Sequence, residues 1–358
     1  MKCSVCYSEN ITEYNIKSEN FTHHHFTINK NKNYLLHYCQ NCSLIFNQIN
    51  INKKNISIFD KKNYISNAQI SNFESNTKNK IDKKIDFICN YIKSKKLNNI
   101  LDVGCFDGEL IKKLSQKITY KKIVGIDILK DIPKSIYKKK IYFYKKKLNK
   151  INEKFDIIIL SHSIMYFNNL NYLFENLKKL SKKNTIFFIF MPDIKRRPLH
   201  ILLSDQCFYL YDYSFINLLN KYKFKIIPNK NELNLNEKVF VFKKNNYIET
   251  LNNHRKTSLS YYLNYITKLK TKINKYKKNK KIYIFGTTIE ASFLYLVLKN
   301  NVKYFVDEDI FKIGKYFNGK LVVDPNELSS NDFILLSRNQ NYLYKKLKKK
   351  YKGKFIMI

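Results

Sequence analysis

Four cysteines open the chemistry of this chain: Cys3 and Cys6, then Cys39 and Cys42, two C-x2-C pairs separated by a long insert. Two such pairs place four thiolates at the corners of a tetrahedron, the arrangement that suits Zn²⁺ at Zn–S distances of about 2.3 Å. Four protein ligands leave no open coordination position, so the metal's expected role is structural. The second constellation is Asn99–Leu110, NILDVGCFDGEL, followed by an acid, Asp127, at the end of KIVGIDIL. The chain has only seven glycines, and a composition that discourages glycine keeps it where φ > 0 or close backbone approach is needed. Gly104 and Gly108 fall within one loop, which marks that loop as a place where backbone meets ligand.

The elements that must position these residues follow from the pattern. Ile100–Val103 is a short apolar strand broken at Gly104, and ELIKKLSQKI begins an amphipathic helix just after Gly108. Strand, glycine-containing turn and helix make the first unit of a doubly wound α/β domain, in which ligands bind beyond the carboxyl ends of the strands. An acid after the second strand commonly hydrogen-bonds ribose hydroxyls. Further strands are expected at Ile141–Leu148, in Lys154–Phe167 with its trailing loop, and at Asn184–Asp193. An antiparallel ending is expected from Lys223–Pro228 and Lys238–Lys244. A dinucleotide fingerprint would read G-x-G-x-x-G; here the spacing is D-x-G-x-x-x-G with Asp102 inside the strand.

That spacing resembles the first motif of class I methyltransferases, which use S-adenosylmethionine and whose strand acid lies near the methionine part of the cofactor. The resemblance implies cofactor contacts from Asp102, Gly104, Cys105, Phe106, Gly108, Asp127, Ile128 and Ser161. With the cysteine pairs, the whole chain resembles a family of bacterial sugar methyltransferases, the best-known members being nucleotide-sugar C-methyltransferases. Their order is a zinc module, a central class I domain and a C-terminal Rossmann-like domain; Lys281–Pro325 looks like the family's C-terminal strand–Gly–helix–strand unit. The family loop runs GSNDGTLL or GCNDG, and Phe106 replaces the usual Asn. The resemblance implies an α/β fold with a zinc-binding module over 1–60 and a methyltransferase domain over 61–248. A helical linker over 249–280 and a C-terminal Rossmann-like domain over 281–358 complete it.

The family's active-site histidines are not matched. Tyr166 or Phe167 stands where one is expected, with His162 a few positions earlier, and Ser204–Phe208 stands where an H-E-H segment would lie. Candidates for proton handling are therefore His162, Tyr166 and Asp205, joined by Tyr64 from a Tyr-rich stretch comparable to one that reaches the active site in the family. Carbon methylation of a keto-sugar needs a base and an enolate-steadying donor. Oxygen or nitrogen methylation depends more on positioning and is equally open.

The formal charge of +39 would suit a phosphate-binding protein. The lysines are spread along the chain, however, and the excess of Lys, Asn, Ile, Tyr and Phe is that of AT-rich codons. Nucleic acid is thus not the expected partner, and the charge serves at most to steer an anionic substrate. No run of eighteen apolar residues suggests a membrane span. The opening MKCSVC lacks a signal-peptide core, so a cytoplasmic setting is expected. The sequence-level expectation is transfer of a methyl group to a small, nucleotide-linked sugar. The rivals are an RNA-modifying methyltransferase and a degenerate domain that binds cofactor without turnover.

Overall fold

The computed structural model describes residues 1–16, 21, 34–47, 76–92, 99–128, 140–228, 237–245, 258–279, 281–337 and 341–358. Tyr64, and the sequence boundaries near 60 and 249, lie outside them.

Three short strands come first: β1 (Ile11–Asn15), β2 (Leu35–Cys39) and β3 (Ile45–Asn47). Helix α1 (Asn76–Ile92) leads into β4 (Asn99–Val103), α2 (Glu109–Lys117), β5 (Lys122–Ile126), β6 (Ile141–Tyr144) and β7 (Phe155–Ser161). Next come α3 (Leu170–Leu180), β8 (Ser181–Pro192), β9 (Phe208–Tyr209), α4 (Asp212–Lys221), β10 (Phe224–Ile226) and β11 (Glu237–Lys244). The remainder is α5 (Leu259–Asn274), β12 (Ile282–Phe285), α6 (Ile289–Leu298), β13 (Val302–Val306), β14 (Tyr316–Phe317), β15 (Lys320–Val323), β16 (Phe333–Leu336), α7 (Asn341–Lys350) and β17 (Lys354–Met357).

The central sheet runs β10-β11-β8-β7-β4-β5-β6. Its strands pair in parallel from β8 to β6, while β11 is antiparallel to both β8 and β10. This is the α/β fold expected from the sequence. Strands buried on both faces read as unbroken apolar runs; Ile157–Leu160 and Phe187–Phe190 are such runs, and all are buried. Helix α2 turns Leu110, Ile111 and Leu114 inward, the spacing of one helical stripe. Sheet order reverses between β4 and β7, and the crevice beyond their carboxyl ends is where such a fold binds ligands.

Two packing features join the rest to this sheet. The N-terminal sheet takes its fourth strand from the middle of the chain, because β9 pairs antiparallel with β3. Cys3, Cys39 and Cys42 share a core with Leu101, Val103 and Leu160 of the central sheet. The C-terminal sheet, β14-β15-β13-β12-β16-β17, has the strand–Gly–helix–strand start at β12, Gly286, α6 and β13. Helix α5 buries Leu259, Tyr262, Ile266 and Ile273, and packs against α6 and the 3-10 turn Pro198–Leu202. It docks one lobe onto the other, as its apolar spacing suggests. Arg197 and Glu290 pair across the same seam at 3.5 Å. No helix among the described residues is long and apolar enough to cross a membrane.

Candidate active site

The loop after β4 is built by left-handed backbone. Gly104 sits at φ 75° and Gly108 at φ 73°, the latter as the N-cap of α2. A Cβ on Gly104 would run into the side chain of Ser163, whose Oγ donates to the Val103 carbonyl at 2.6 Å. The segment after β7 is thereby pressed against the loop after β4. Phe106 also has a positive φ, 50°, which is costly for a bulky side chain and marks a held, strained loop. What holds it is Asp127, whose Oδ2 accepts the Phe106 N–H at 2.7 Å. Cys105 turns its thiol into the core beneath Gly125, so only its backbone lies on the loop surface. Ile128 is 52% exposed, an apolar surface beside the loop.

Asp102 lies at the carboxyl end of β4 and is 2% exposed, and its Oδ1 has no hydrogen-bond partner among the described residues. Burial, with the negative charges of Asp127 and Asp107, pushes its carboxyl up to about 8; Lys84 pulls the other way. A buried carboxylate that lacks a full complement of partners is unfavourable unless a cation or donor joins it. A cation beside Asp102 would favour its ionised form, and the ammonium and sulfonium of S-adenosylmethionine are such cations. The chemistry of the loop fits that molecule: Asp102 could face its methionine end, the glycines allow close backbone approach, Asp127 could meet hydroxyls and Ile128 an apolar ring.

On the other side of the crevice, Ser161 ends β7 and His162 follows with φ 55°. The His162 backbone N–H donates to the Phe190 carbonyl at 2.8 Å, which fixes this unusual turn. Its ring Nε2 lies 3.2 Å from Glu237 Oε1, at the start of β11. Glu237 Oε2 lies 3.2 Å from Lys84 Nζ of α1, and that ammonium donates to Ser161 Oγ at 3.2 Å. Burial opposes the Glu237 charge, but His162 and then Lys84 outweigh it and hold the carboxyl down at about 2. Lys84 and Glu237 were not among the sequence candidates. A signal existed for Lys84: it falls in the apolar stripe Ile81, Ile85, Ile88, Ile92 of α1, where a surface lysine does not belong.

Tyr166 packs against the core that contains the cysteines, and its hydroxyl is shut off from solvent. Asp205 is close enough to Tyr34, Cys207 and Tyr209 for its charge to raise all three, at the seam between the N-terminal sheet and the turn before β9. The structure links Ser161 and His162 through Lys84 and Glu237, and the Lys84 charge reaches Asp102.

The four cysteines converge as their spacing requires. Cys3 Sγ is 3.4 Å from Cys42 Sγ, Cys6 Sγ is 3.4 Å from Cys39 Sγ, and all four sulfurs lie within 4.8 Å of one another. A hydrogen bond from Cys42 favours a thiolate at Cys3 and holds it down at about 5, while burial pushes Cys39 up to about 11. Four thiolates this close repel one another without a cation among them, and the donor set suits zinc.

Residues 73–227 match a family model described as a methyltransferase domain. No curated protein matches the sequence. Among solved structures the chain is similar to the N-methyltransferase NodS from Bradyrhizobium japonicum WM9, at 12% identity and TM-score 0.36, over 48% of this chain and 99% of that one. It is similar to the magnesium protoporphyrin IX methyltransferase ChlM from Synechocystis PCC 6803, at 15% identity and TM-score 0.36, over 46% and 81% of the two chains. A third is an S-adenosylmethionine-dependent methyltransferase from Clostridium acetobutylicum ATCC 824, at 13% identity and TM-score 0.37, over 54% and 98%.

Proposed function

The chain carries a methyltransferase domain over residues 73–227 and is an enzyme, and on that footing we propose that it transfers the methyl group of S-adenosylmethionine to a small, nucleotide-linked sugar. The observation that carries the cofactor half is Asp102: a buried carboxylate pushed up to about 8, facing the Gly104 loop. A cationic ligand at the end of β4 would favour its ionised form, and the methionine end of the cofactor is one. The loop glycines, Asp127 and Ile128 take the remaining parts of the molecule.

The acceptor half rests on the order of parts along the chain. A cysteine cluster, a central methyltransferase domain and a C-terminal α/β lobe follow one another as in the sugar methyltransferases the sequence resembles. The cysteine cluster binds one zinc ion and serves folding.

Titration with mixed cellular RNA and with nucleoside diphosphates across a salt series separates these acceptors. A small dianion releases few counterions and gives a shallow salt slope, whereas RNA gives a steep one. Diphosphate binding with a shallow slope is the expected result; tight, salt-steep RNA binding with methyl incorporation into RNA would overturn it.

A further inference from the structure

The chain Lys84–Glu237–His162 is more than the cofactor loop needs. Three charged or titratable groups from three separate elements, α1, β11 and the end of β7, meet at the carboxyl edge of the sheet. Glu237 bridges the other two at 3.2 Å on each side. The side chains of Lys84 and Glu237 are almost fully enclosed, while His162 is about one-third exposed. An enclosed pair with one accessible member is an arrangement that delivers its charge to that member. Phe190 closes the far side, with the Lys84 ammonium 5.3 Å from its ring centre. His162 is itself held at φ 55° next to Ser163, the residue pressed against Gly104. The cluster thus sits at the carboxyl edge of β7, where Ser163, the residue after His162, touches the loop assigned to the methyl donor.

We propose that His162 is the proton acceptor of methyl transfer, with Glu237 and Lys84 as positioning residues, and that the acceptor substrate is one that gives up a proton as it is methylated. The proposal rests on the methyl-donor reading above. Glu237 engages Nε2 and so orients the ring. In the step, the acceptor's oxygen (or acidic carbon) forms the new bond to the methyl carbon. The carbon–sulfur bond breaks with its electron pair going to sulfur, and the acceptor's proton passes to the His162 imidazole. Positive charge moves from sulfonium to imidazolium, where the Glu237 carboxylate already faces it. Lys84 helps keep Glu237 ionised. Among the described residues the charged groups around His162 are Glu237 from β11, Lys84 behind it from α1, and Asp102 of β4, which faces Lys84.

Two measurements on the full-length protein test this. Nuclear magnetic resonance of ring-labelled histidine, assigned with His162→Asn, gives the titration midpoint of His162. Glu237→Gln is expected to lower it by about one pH unit or more, because an opposite charge within hydrogen-bonding distance is lost. Lys84→Met is expected to raise it. Identical midpoints in wild type and both variants would overturn the proposal. Calorimetry with S-adenosylmethionine and S-adenosylhomocysteine from pH 5.5 to 8.5 then reads the distance to the methyl group. The imidazolium repels the sulfonium but not the neutral thioether. The affinity ratio of the two ligands should thus fall severalfold, on the order of tenfold, as pH drops through the His162 midpoint. The fall should move to lower pH in Glu237→Gln and vanish in His162→Asn. A ratio independent of pH while both ligands bind would place His162 away from the methyl group and sink the proposal. Failure of both ligands to bind is a different result, which would remove the methyl-donor reading and this inference with it.

Discussion

Asp127 Oδ2 accepts the backbone N–H of Phe106 at 2.7 Å, so the acid that ends the second strand also fastens the loop that follows the first. One carboxylate thus shapes the loop and, in the proposed reading, meets a ligand hydroxyl as well. Asp127→Ala loses both roles and should weaken S-adenosylmethionine binding by ~1–3 kcal/mol, the range for a hydrogen bond to a charged group. Asp127→Asn keeps an acceptor for Phe106 and should lose less. Calorimetry on the two variants checks the order; equal affinities in Asp127→Ala and wild type would remove Asp127 from the site.

Gly104→Val should abolish cofactor binding while leaving the central sheet folded. Its side chain would meet Ser163 and must adopt φ 75°, a conformation that costs a β-branched residue most. Circular dichroism close to wild type with no calorimetric signal is the expected pair of results. Unaltered affinity would show that the loop does not contact the ligand.

Asp102→Asn should do two opposite things. The Asp102 carboxyl is pushed up to about 8 from an ordinary value of 3.8, so the folded protein binds its proton more tightly than the unfolded chain. By linkage, ligand-free stability is greatest below the unfolded value and declines as pH rises from about 4 through about 8. Asp102→Asn removes that decline and should raise the thermal midpoint of the ligand-free protein at pH 7. The same variant should weaken binding of the cationic cofactor. Thermal melts across pH, with and without S-adenosylmethionine, read both; a lower ligand-free midpoint at pH 7 would contradict the assignment.

Glu237 supplies the opposite pH dependence. Its carboxyl is held down at about 2 from 4.5, so the stability it contributes is present above about 4.5 and lost as pH falls through about 2. Glu237→Gln should flatten the acid limb of the stability curve. It should also destabilise at neutral pH, because it leaves the buried Lys84 ammonium without its carboxylate. Melts between pH 2 and 5 check the first effect, and a wild-type acid limb in the variant would refute it.

Elemental analysis should find about one zinc per chain. Cys39→Ser with Cys42→Ser should lose it and destabilise more than the N-terminal sheet, since Cys39 and Cys42 share a core with Leu101 and Val103 of β4. Loss of metal with an unchanged melt of the central sheet would show that the two regions fold independently.

The cofactor loop and the cysteine cluster were legible because each is written locally. Asp102, Gly104 and Gly108 fall within one strand–turn–helix unit, and Cys3, Cys6, Cys39 and Cys42 carry their geometry in their spacing. The glycine loop follows from local backbone preference; each C-x2-C pair is local too, and their shared donor chemistry signals that the two pairs converge. The strand pattern behaved similarly, with boundaries shifting by a few residues: the third strand ends at Tyr144 rather than Leu148, where the apolar run gives way to consecutive lysines.

Lys84 and Glu237 were hidden for the opposite reason. Each is one of many like residues in the chain, and their meaning arises only when α1 and β11, far apart in sequence, converge on His162 at the sheet edge. The pairing of β9 with β3 is a two-residue contact with no periodic signal, yet it joins the cysteine-bearing sheet to the central segment. By itself the sequence determined the α/β order of elements, the four-cysteine set and the glycine loop. Which charges meet at the sheet edge was decided by tertiary packing, because burial and ion pairing belong to neighbours in space rather than to neighbours along the chain.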